Sequence, residues 1–325
     1  MIGYAQVPVG VVGPVVVRGD AEGRYAVPLA TTEGAFVAGT QRGAKLAEAA
    51  GGVLVRVLAE GMAVYPTVAF DSLDLALGAA RWVRDHREAL VAAADATTKH
   101  GKVQELRSEV LGRRLVLSLR MQVKDAHGIN LVTRAAEAIL AEIPGGGQRL
   151  VHGYDVEKRA STRHWRGRWT VAELVVPESH LVEHLGVRAA PLAEMWTTYH
   201  LAYGRMGTPN HALQIANGLA ALYIATGQDV AYVAESAVGT LSLEDRGGRL
   251  HATLDLPNLH AATVGGGTQK GTARECQAII GAPGARELAC VFAATLLCGE
   301  VSLAAAMCAG QLGEAHEKLG RNRPG

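Results

Sequence analysis

The chain has 325 residues, of which 49% are hydrophobic and 19% charged, and its formal net charge is +1. That length allows two domains, or one large domain with a second inserted in it, and the composition supports a packed core and excludes a disordered chain. A charge so close to zero gives no general attraction for nucleic acid or an anionic membrane, although a local basic pocket for a phosphate-bearing cofactor remains compatible with it.

The opening Met1-Ile2-Gly3-Tyr4 lacks the basic-then-apolar pattern of a secretion signal. Residues 7–17 are apolar and broken by Gly10, Gly13 and Pro14, which predicts an extended loop and a short strand. A hairpin through Gly19-Asp20 leads to a strand over 25–29. Ala30-Thr31-Thr32-Glu33-Gly34 reads as a helix start, with Thr31 or Thr32 as cap and Glu33 in the first turn. That helix is expected to end at Gly51-Gly52. A strand over 65–70 follows, then a helix capped by Asp71-Ser72 and running to about residue 93. Strands over 103–110 and 114–123 flank the turn Leu111-Gly112-Arg113. A helix over 129–143, the run Gly145-Gly146-Gly147 and a strand over 149–154 complete the series. The order is β-α-β-β-α-β, the split βαβ of a ferredoxin-like unit and not that of a Rossmann fold.

Downstream, Thr208-Pro209 predicts a helix with proline at its first position. Ala212, Ile215, Ala216, Leu219, Leu222 and Tyr223 follow at helical spacing, so this is a central helix with a deeply buried face, ended by Gly227. Strands over 241–243 and 250–254 flank Arg246-Gly247-Gly248 as a hairpin, and helical sequence runs from about 285 to 318. Its apolar run, 289–298, is interrupted by Gly299-Glu300 and falls short of the ~20 residues that span a bilayer. Aromatic residues are only 5% of the chain, so close packing through small side chains is expected. Cys276, Cys290, Cys298 and Cys308 form no C-x-x-C pair, and no histidine cluster has zinc spacing. They predict a reducing, cytoplasmic setting without disulfides, and no metal.

Six segments, in order along nearly the whole chain, resemble the catalytic domain of 3-hydroxy-3-methylglutaryl-coenzyme A (HMG-CoA) reductases. They are Ile2-Gly3-Tyr4 with Val7-Pro8-Val9-Gly10-Val11-Val12-Gly13-Pro14; Ala30-Thr31-Thr32-Glu33-Gly34; Arg56-Val57-Leu58-Ala59-Glu60-Gly61-Met62; Asp125-Ala126-His127-Gly128-Ile129-Asn130; Gly227-Gln228-Asp229; and Thr263-Val264-Gly265-Gly266-Gly267-Thr268. The resemblance implies an α+β fold: a large helix-rich domain with a central buried helix, residues 1–60 and 152–325, binding substrate and coenzyme A. A small ferredoxin-like NAD(P)H-binding domain, 61–151, is inserted in it, as the β-α-β-β-α-β order suggests independently.

The roles that the resemblance implies follow its motifs. Glu33 matches the catalytic glutamate of A-T-T-E-G, Lys158 the catalytic lysine after the small domain, Asp229 the aspartate of G-Q-D, and His316 the histidine near the C-terminus. Hydride attack on a thioester creates an oxyanion, which a desolvated ammonium such as that of Lys158 stabilises. A neighbouring carboxylate, Asp229, keeps the amine charged. Glu33 can protonate the aldehyde-level intermediate if burial holds its proton, and His316 the departing thiolate. Asp125, His127, Gly128 and Asn130 match the dinucleotide motif at a helix N-terminus suited to a pyrophosphate. Thr98 and Lys99 match the pair that holds a 2′-phosphate, which points to NADPH with NADH as the alternative. Gly265 and Gly266 allow backbone to approach the cofactor. Tyr4 matches the coenzyme A segment, Asn217 a substrate-side asparagine, and Arg56 and Arg159 are cations for a terminal carboxylate. A homodimer or larger assembly with shared active sites is implied as well.

The sequence also departs from that pattern. The family's D-K-K-P or D-K-R-P loop reads Glu157-Lys158-Arg159-Ala160, a serine that contacts the substrate carboxylate is replaced by Val151 or His152, and a lysine is missing where Thr198-Tyr199-His200-Leu201 stands. The chain lacks the family's N-terminal helical extension and ends shortly after His316, like the shorter-ended, class I-like members. The altered carboxylate pocket leaves two alternatives open: a reductase of a different acyl-CoA, or a weakened paralogue that only binds coenzyme A or a dinucleotide.

Overall fold

The computed structural model describes residues 2–3, 5–163, 165–282 and 284–311. The chain divides into two compact units, one of Met1–Ala59, Lys158–Arg163 and Arg168–Gly325, the other of Glu60–Glu157 and His164–Gly167. In chain order, β1 (Val9–Gly19) and β2 (Gly23–Ala30) form an antiparallel hairpin, followed by α1 (Gly34–Ala49) and β3 (Val53–Val64). Next come β4 (Thr67–Ala69), α2 (Leu73–Asp85), α3 (Arg87–Ala96), β5 (Val103–Leu111), β6 (Arg114–Met121), α4 (Ile129–Glu142) and β7 (Arg149–Leu150). The remainder is β8 (Gly167–Pro177), α5 (Glu178–Leu185), α6 (Ala189–Met206), α7 (Ile215–Thr226), a 3-10 turn (Val230–Tyr232), α8 (Val233–Ser236), β9 (Thr240–Asp245), β10 (Arg249–Leu259), a second 3-10 turn (Gly266–Gln269), α9 (Gly271–Ile280) and α10 (Ala285–Cys308). This is a mixed fold with largely antiparallel pairing.

In the second unit the antiparallel order is β7-β4-β6-β5, and the end of β3 lines up with β4 along the same side of β6, Met62 opposite Met121. Ser72 caps α2 by accepting from the Leu75 N–H at 3.2 Å. Ala76, Ala79, Ala80 and Val83, at helical spacing, form the face α2 buries. The helix expected to reach residue 93 unbroken is instead divided at His86. The ring of His86 stacks on Trp82 at 4.2 Å and bonds the Trp82 carbonyl, which ends one helix and lets the next bury Leu90 and Ala94. The strand expected over 149–154 is shorter too: only Arg149 and Leu150 pair with β4. Gly153 lies so close to Thr67 that a Cβ would meet its Oγ1 at 1.9 Å, and the chain turns there.

In the first unit, β10 is central to an antiparallel group with β8 and β9. Its alternation buries Ala252, Leu254 and Leu256, and that of β8 buries Ala172, Leu174 and Val176. β1 is a full eleven-residue strand, longer than the loop-and-short-strand reading, and it runs parallel to the start of β3 through Val17 and Val53. Gln41 of α1 clamps β1 by accepting from the Gly13 N–H and donating to its carbonyl, both at 2.8 Å. α7 starts at Ile215 and not at Thr208-Pro209; residues 207–214 instead form a turn in which His211 makes a lone bridge to Thr240.

α10 is long and apolar enough to cross a bilayer by length and composition, but 94% of its apolar window is buried inside the protein, as in a core helix. Small residues let its backbone be approached closely: a Cβ on Gly43 of α1 would meet the Cys298 carbonyl oxygen at 1.9 Å. The four cysteines are free, and burial pushes the thiols of Cys290 and Cys298 up to about 12, which keeps them neutral. Gly299-Glu300 interrupts the apolar run without ending the helix. The fully buried Glu300 carboxyl accepts from the Leu213 and Gln214 N–H groups at 2.7 and 2.8 Å, where α7 begins and backbone donors are otherwise unpaired.

Burial pushes the Glu300 carboxyl up to about 7, against 4.5 in its ordinary state, with the two N–H groups only partly offsetting this. The folded protein therefore keeps that proton through a range where the unfolded chain has released it. Stability from this group is full below about pH 4.5 and is lost as pH rises toward 7. Comparing urea midpoints of the wild type and Glu300→Gln from pH 5 to pH 8 should show the wild type losing a few kcal/mol relative to the variant, with no further change above pH 8.

Candidate active site

Lys158 begins a short return of the chain into the first unit and has φ +59°, the one left-handed non-glycine backbone among the described residues. Its ammonium lies 3.0 Å from Asp229 Oδ2 and 5.4 Å from the centre of the Tyr232 ring. Its backbone N–H donates to Glu235 Oε1 at 2.5 Å, and Glu235 Oε2 is 3.2 Å from His260 Nε2. The Lys158–Asp229 pair is about half exposed, 44% and 51%, and such pairs are worth about 0–1 kcal/mol. Left-handed backbone costs a non-glycine residue roughly 1–2 kcal/mol. The ion pair alone does not offset that cost, whereas a hydrogen bond to a buried carboxylate, about 1.5–3 kcal/mol, does.

Asp229 follows the left-handed Gly227 that ends α7. It caps the first 3-10 turn by accepting from the Ala231 N–H at 3.0 Å. Its neighbour Gln228 both donates to the Ala262 carbonyl, at 2.9 Å, and accepts from the Ala262 N–H, at 2.8 Å. Gly227 and Gly267 touch backbone to backbone: a Cβ on either would come within 2.5 or 2.6 Å of the other's carbonyl oxygen. The glycine run before α9 thus permits the close approach that fixes the loop carrying Asp229. Gly265 and Gly266, at φ +86° and +59°, are exposed with open space around them.

Glu33 is the N-cap of α1, one position before the first turn in which it was expected, and its carboxylate does no capping. Thr31 Oγ1 accepts from the Glu33 N–H at 3.0 Å, and the Glu33 Oε2 accepts from Asn217 Nδ2 at 2.9 Å. Asn217 lies in the first turn of α7, whose start is held by Glu300, while Asp229 lies just past its end. One partner of each polar pair is therefore placed by an end of this helix, Asn217 within its first turn and Asp229 three residues beyond its last.

In the second unit, Gly128 caps α4 in the left-handed conformation at φ +89°, with no side chain capping that helix. A Cβ there would meet Val123 Cγ1 at 2.0 Å. Asp125 and Asn130 are exposed and His127 is half-buried. The loop after α3 meets the same region, since Gly101 packs on the Gln122 carbonyl and on Leu131 of α4. Exposed Lys99 and half-buried Thr98, whose Oγ1 accepts from the His100 N–H at 3.0 Å, stand on that loop. An uncapped helix N-terminus with a nearby lysine suits a phosphate-bearing ligand.

Arg56 is not joined to the Lys158 group. Its guanidinium pairs with Asp20 at 2.8 Å, and Asp20 also takes Arg286 and the Val57 N–H. The Val57 and Arg56 hydrogen bonds hold the Asp20 carboxyl below its usual range. Arg159 is exposed. Tyr4 and His316 lie outside the described residues. The residues that sequence reasoning missed are Tyr232, Glu235 and His260; the signal for the first two was their spacing from Asp229, three apart, which keeps side chains on one side of a helical segment, while nothing local marks His260.

A profile of the hydroxymethylglutaryl-coenzyme A reductase family matches residues 1–321. The chain is 36% identical to the 3-hydroxy-3-methylglutaryl-coenzyme A reductase of Halobacterium salinarum over 99% of its length and 84% of that protein. It is also 36% identical to that of Aeropyrum pernix over 98% of its length and 80% of that protein. Its fold is similar to that of the class II reductase from Streptococcus pneumoniae bound to NADPH in open conformations, with a TM-score of 0.78, 21% identity, and coverage of 94% of this chain and 86% of that one.

Gly227→Ala should destabilise the protein by about 2–3 kcal/mol in urea unfolding, because it combines left-handed strain with a backbone clash. Native-state hydrogen exchange should show the extra opening concentrated in residues 227–232 and 263–268.

Proposed function

We propose that this chain, which belongs to the hydroxymethylglutaryl-coenzyme A reductase family, reduces HMG-CoA to mevalonate. The balance is HMG-CoA plus two NADPH and two protons, giving mevalonate, coenzyme A and two NADP⁺. The observation that carries the reading is the Lys158–Asp229 pair at 3.0 Å on a constrained backbone. NADPH, when bound, supplies the two hydrides.

The chain's own residues do the rest. Lys158 offers an ammonium to the carbonyl oxygen, where negative charge develops as hydride arrives, and a positioned cation lowers that barrier more than mobile water does. Asp229 keeps the amine charged and aimed. Glu33, oriented by Asn217, supplies the proton that completes the alcohol. His316 is assigned the proton for the coenzyme A thiolate on the strength of its motif.

For the cofactor, the order β7-β4-β6-β5 with α2, α3 and α4 supports reading the second unit as a ferredoxin-like domain inserted in the large one. There Gly128 at the start of α4 opens room for a pyrophosphate, with Asp125, His127 and Asn130 around it, and Thr98 and Lys99 take the 2′-phosphate. In the large domain, Gly265 and Gly266 line the cofactor path, and Tyr4 and Arg159 serve coenzyme A and the acyl carboxylate. A homodimer or larger assembly in the cytoplasm completes this proposal.

A second reading, reduction of a different acyl-CoA, is favoured by Arg56: its engagement with Asp20 leaves the carboxylate-binding set smaller than the motifs imply. NADPH oxidation followed at 340 nm with HMG-CoA and with other acyl-CoA thioesters separates the two, and turnover with none of them overturns both.

Two variants test the assignments. Lys158→Met should lower kcat by about 10³-fold while leaving the KM for NADPH near the wild-type value. Lys99→Ala should raise the KM for NADPH by about tenfold and leave that for NADH unchanged, because only the former carries the 2′-phosphate.

A further inference from the structure

We propose that Glu235 and His260 are a buried positioning pair that holds the Lys158 backbone left-handed and so presents its ammonium to Asp229. This rests on the reading of Lys158 as the group that meets the substrate carbonyl. Lys158 and its neighbour Arg159 are both exposed, at the point where the Lys158 backbone turns left-handed. An anchor for that backbone comes from 77 positions downstream.

Glu235 and His260 are only 2% and 3% exposed. The two carboxylate oxygens are divided, one taking the Lys158 N–H and the other facing the His260 ring. His260 is in turn fixed by its own N–H, which donates to Tyr223 Oη at 3.1 Å and to Ser236 Oγ at 3.2 Å; Ser236 Oγ also donates to the Asn258 carbonyl at 2.8 Å. The carboxylate thus bridges a surface loop to the core.

Tyr232 belongs to the same assembly, with its ring 4.5 Å from that of His260 and 5.4 Å from the Lys158 ammonium. Asp229, Tyr232 and Glu235 stand three residues apart along the 3-10 turn and α8, an interval that keeps side chains on the same side in both kinds of helix. One face of that segment meets Lys158 at both ends: its ammonium lies against Asp229 and over the Tyr232 ring, and its backbone N–H donates to Glu235.

The experiment assays the full chain by NADPH oxidation with HMG-CoA, normalised to folded protein by circular dichroism. Glu235→Ala is expected to lower kcat by about 30- to 100-fold with the KM for NADPH within about twofold. Glu235→Gln, whose amide oxygen still accepts the Lys158 N–H, should stay within about fivefold of wild type. Trypsin should cut after Lys158 and Arg159 faster in the alanine variant and at the wild-type rate in the glutamine variant. Should Glu235→Ala fail to fold, His260→Phe replaces it: the ring packing on Tyr232 is kept, the partner of Oε2 is lost, and kcat should fall about three- to tenfold with faster tryptic cutting. Equal losses in the alanine and glutamine variants overturn the proposal. So does wild-type kcat and tryptic rate in the alanine or phenylalanine variant beside an inactive Lys158→Met enzyme. A Lys158→Met enzyme with wild-type kcat instead overturns the reading of Lys158 itself.

Discussion

An exposed lysine held in a left-handed backbone needs more than its ion-pair partner. Solvent screening leaves the contact with Asp229 too weak to offset the cost of that backbone. The compensation is a carboxylate out of water, Glu235, whose acceptor strength is greatest where the dielectric is low. Much of the surrounding first unit can be understood as what is required to bury that carboxylate and hold it still: the Tyr223–Ser236–His260 hydrogen bonds, the aromatic contact of Tyr232, and the end of β10 that leads to His260.

The same requirement explains the glycines and the small residues. Asp229 reaches Lys158 only if the end of α7 and the glycine run at 265–267 touch through bare backbone, and Gly227 with Gly267 meets that condition. At the other end of α7, Glu300 accepts from the two backbone N–H groups that immediately precede the helix, from within the apolar helix α10. A carboxyl in such a place carries a desolvation cost, and its return is a fixed helix start from which Asn217 reaches Glu33. The two ends of one buried helix are thereby tied to the Glu33–Asn217 and Lys158–Asp229 pairs.

The surface cations are disposed differently. Arg56 and Arg286 share Asp20 beside the β1–β2 turn, so their charges serve that turn. The fully buried Arg166 is likewise bound to Asp155, at 2.6 Å, in the loop that leads to Lys158. Guanidinium groups suit such bridging because their donors form a planar fork. Motif position says that a cation is present, but not which carboxylate will claim it.

Local pattern was enough for much of the fold. Alternation in β5, β6 and β10, the Ser72 cap, the helical face of α2, and the glycine stops at Gly112 and Gly227 are all written in neighbouring residues, because strand and helix periodicities act over a few positions. The order of motifs from Glu33 to Asp229 was legible too, through their resemblance to a known family and not through periodicity. What adjacent residues do not contain is any long-range pairing. The break at His86, the late start of α7, the partner of Arg56 and the joining of Lys158 to Glu235 and His260 all depend on side chains brought together from distant positions. They depend too on how deeply each is buried. Burial is a property of the packed molecule, and it decides whether a carboxylate is a weak surface charge or a fixed anchor; only the tertiary structure could make that choice for Glu235 and Glu300.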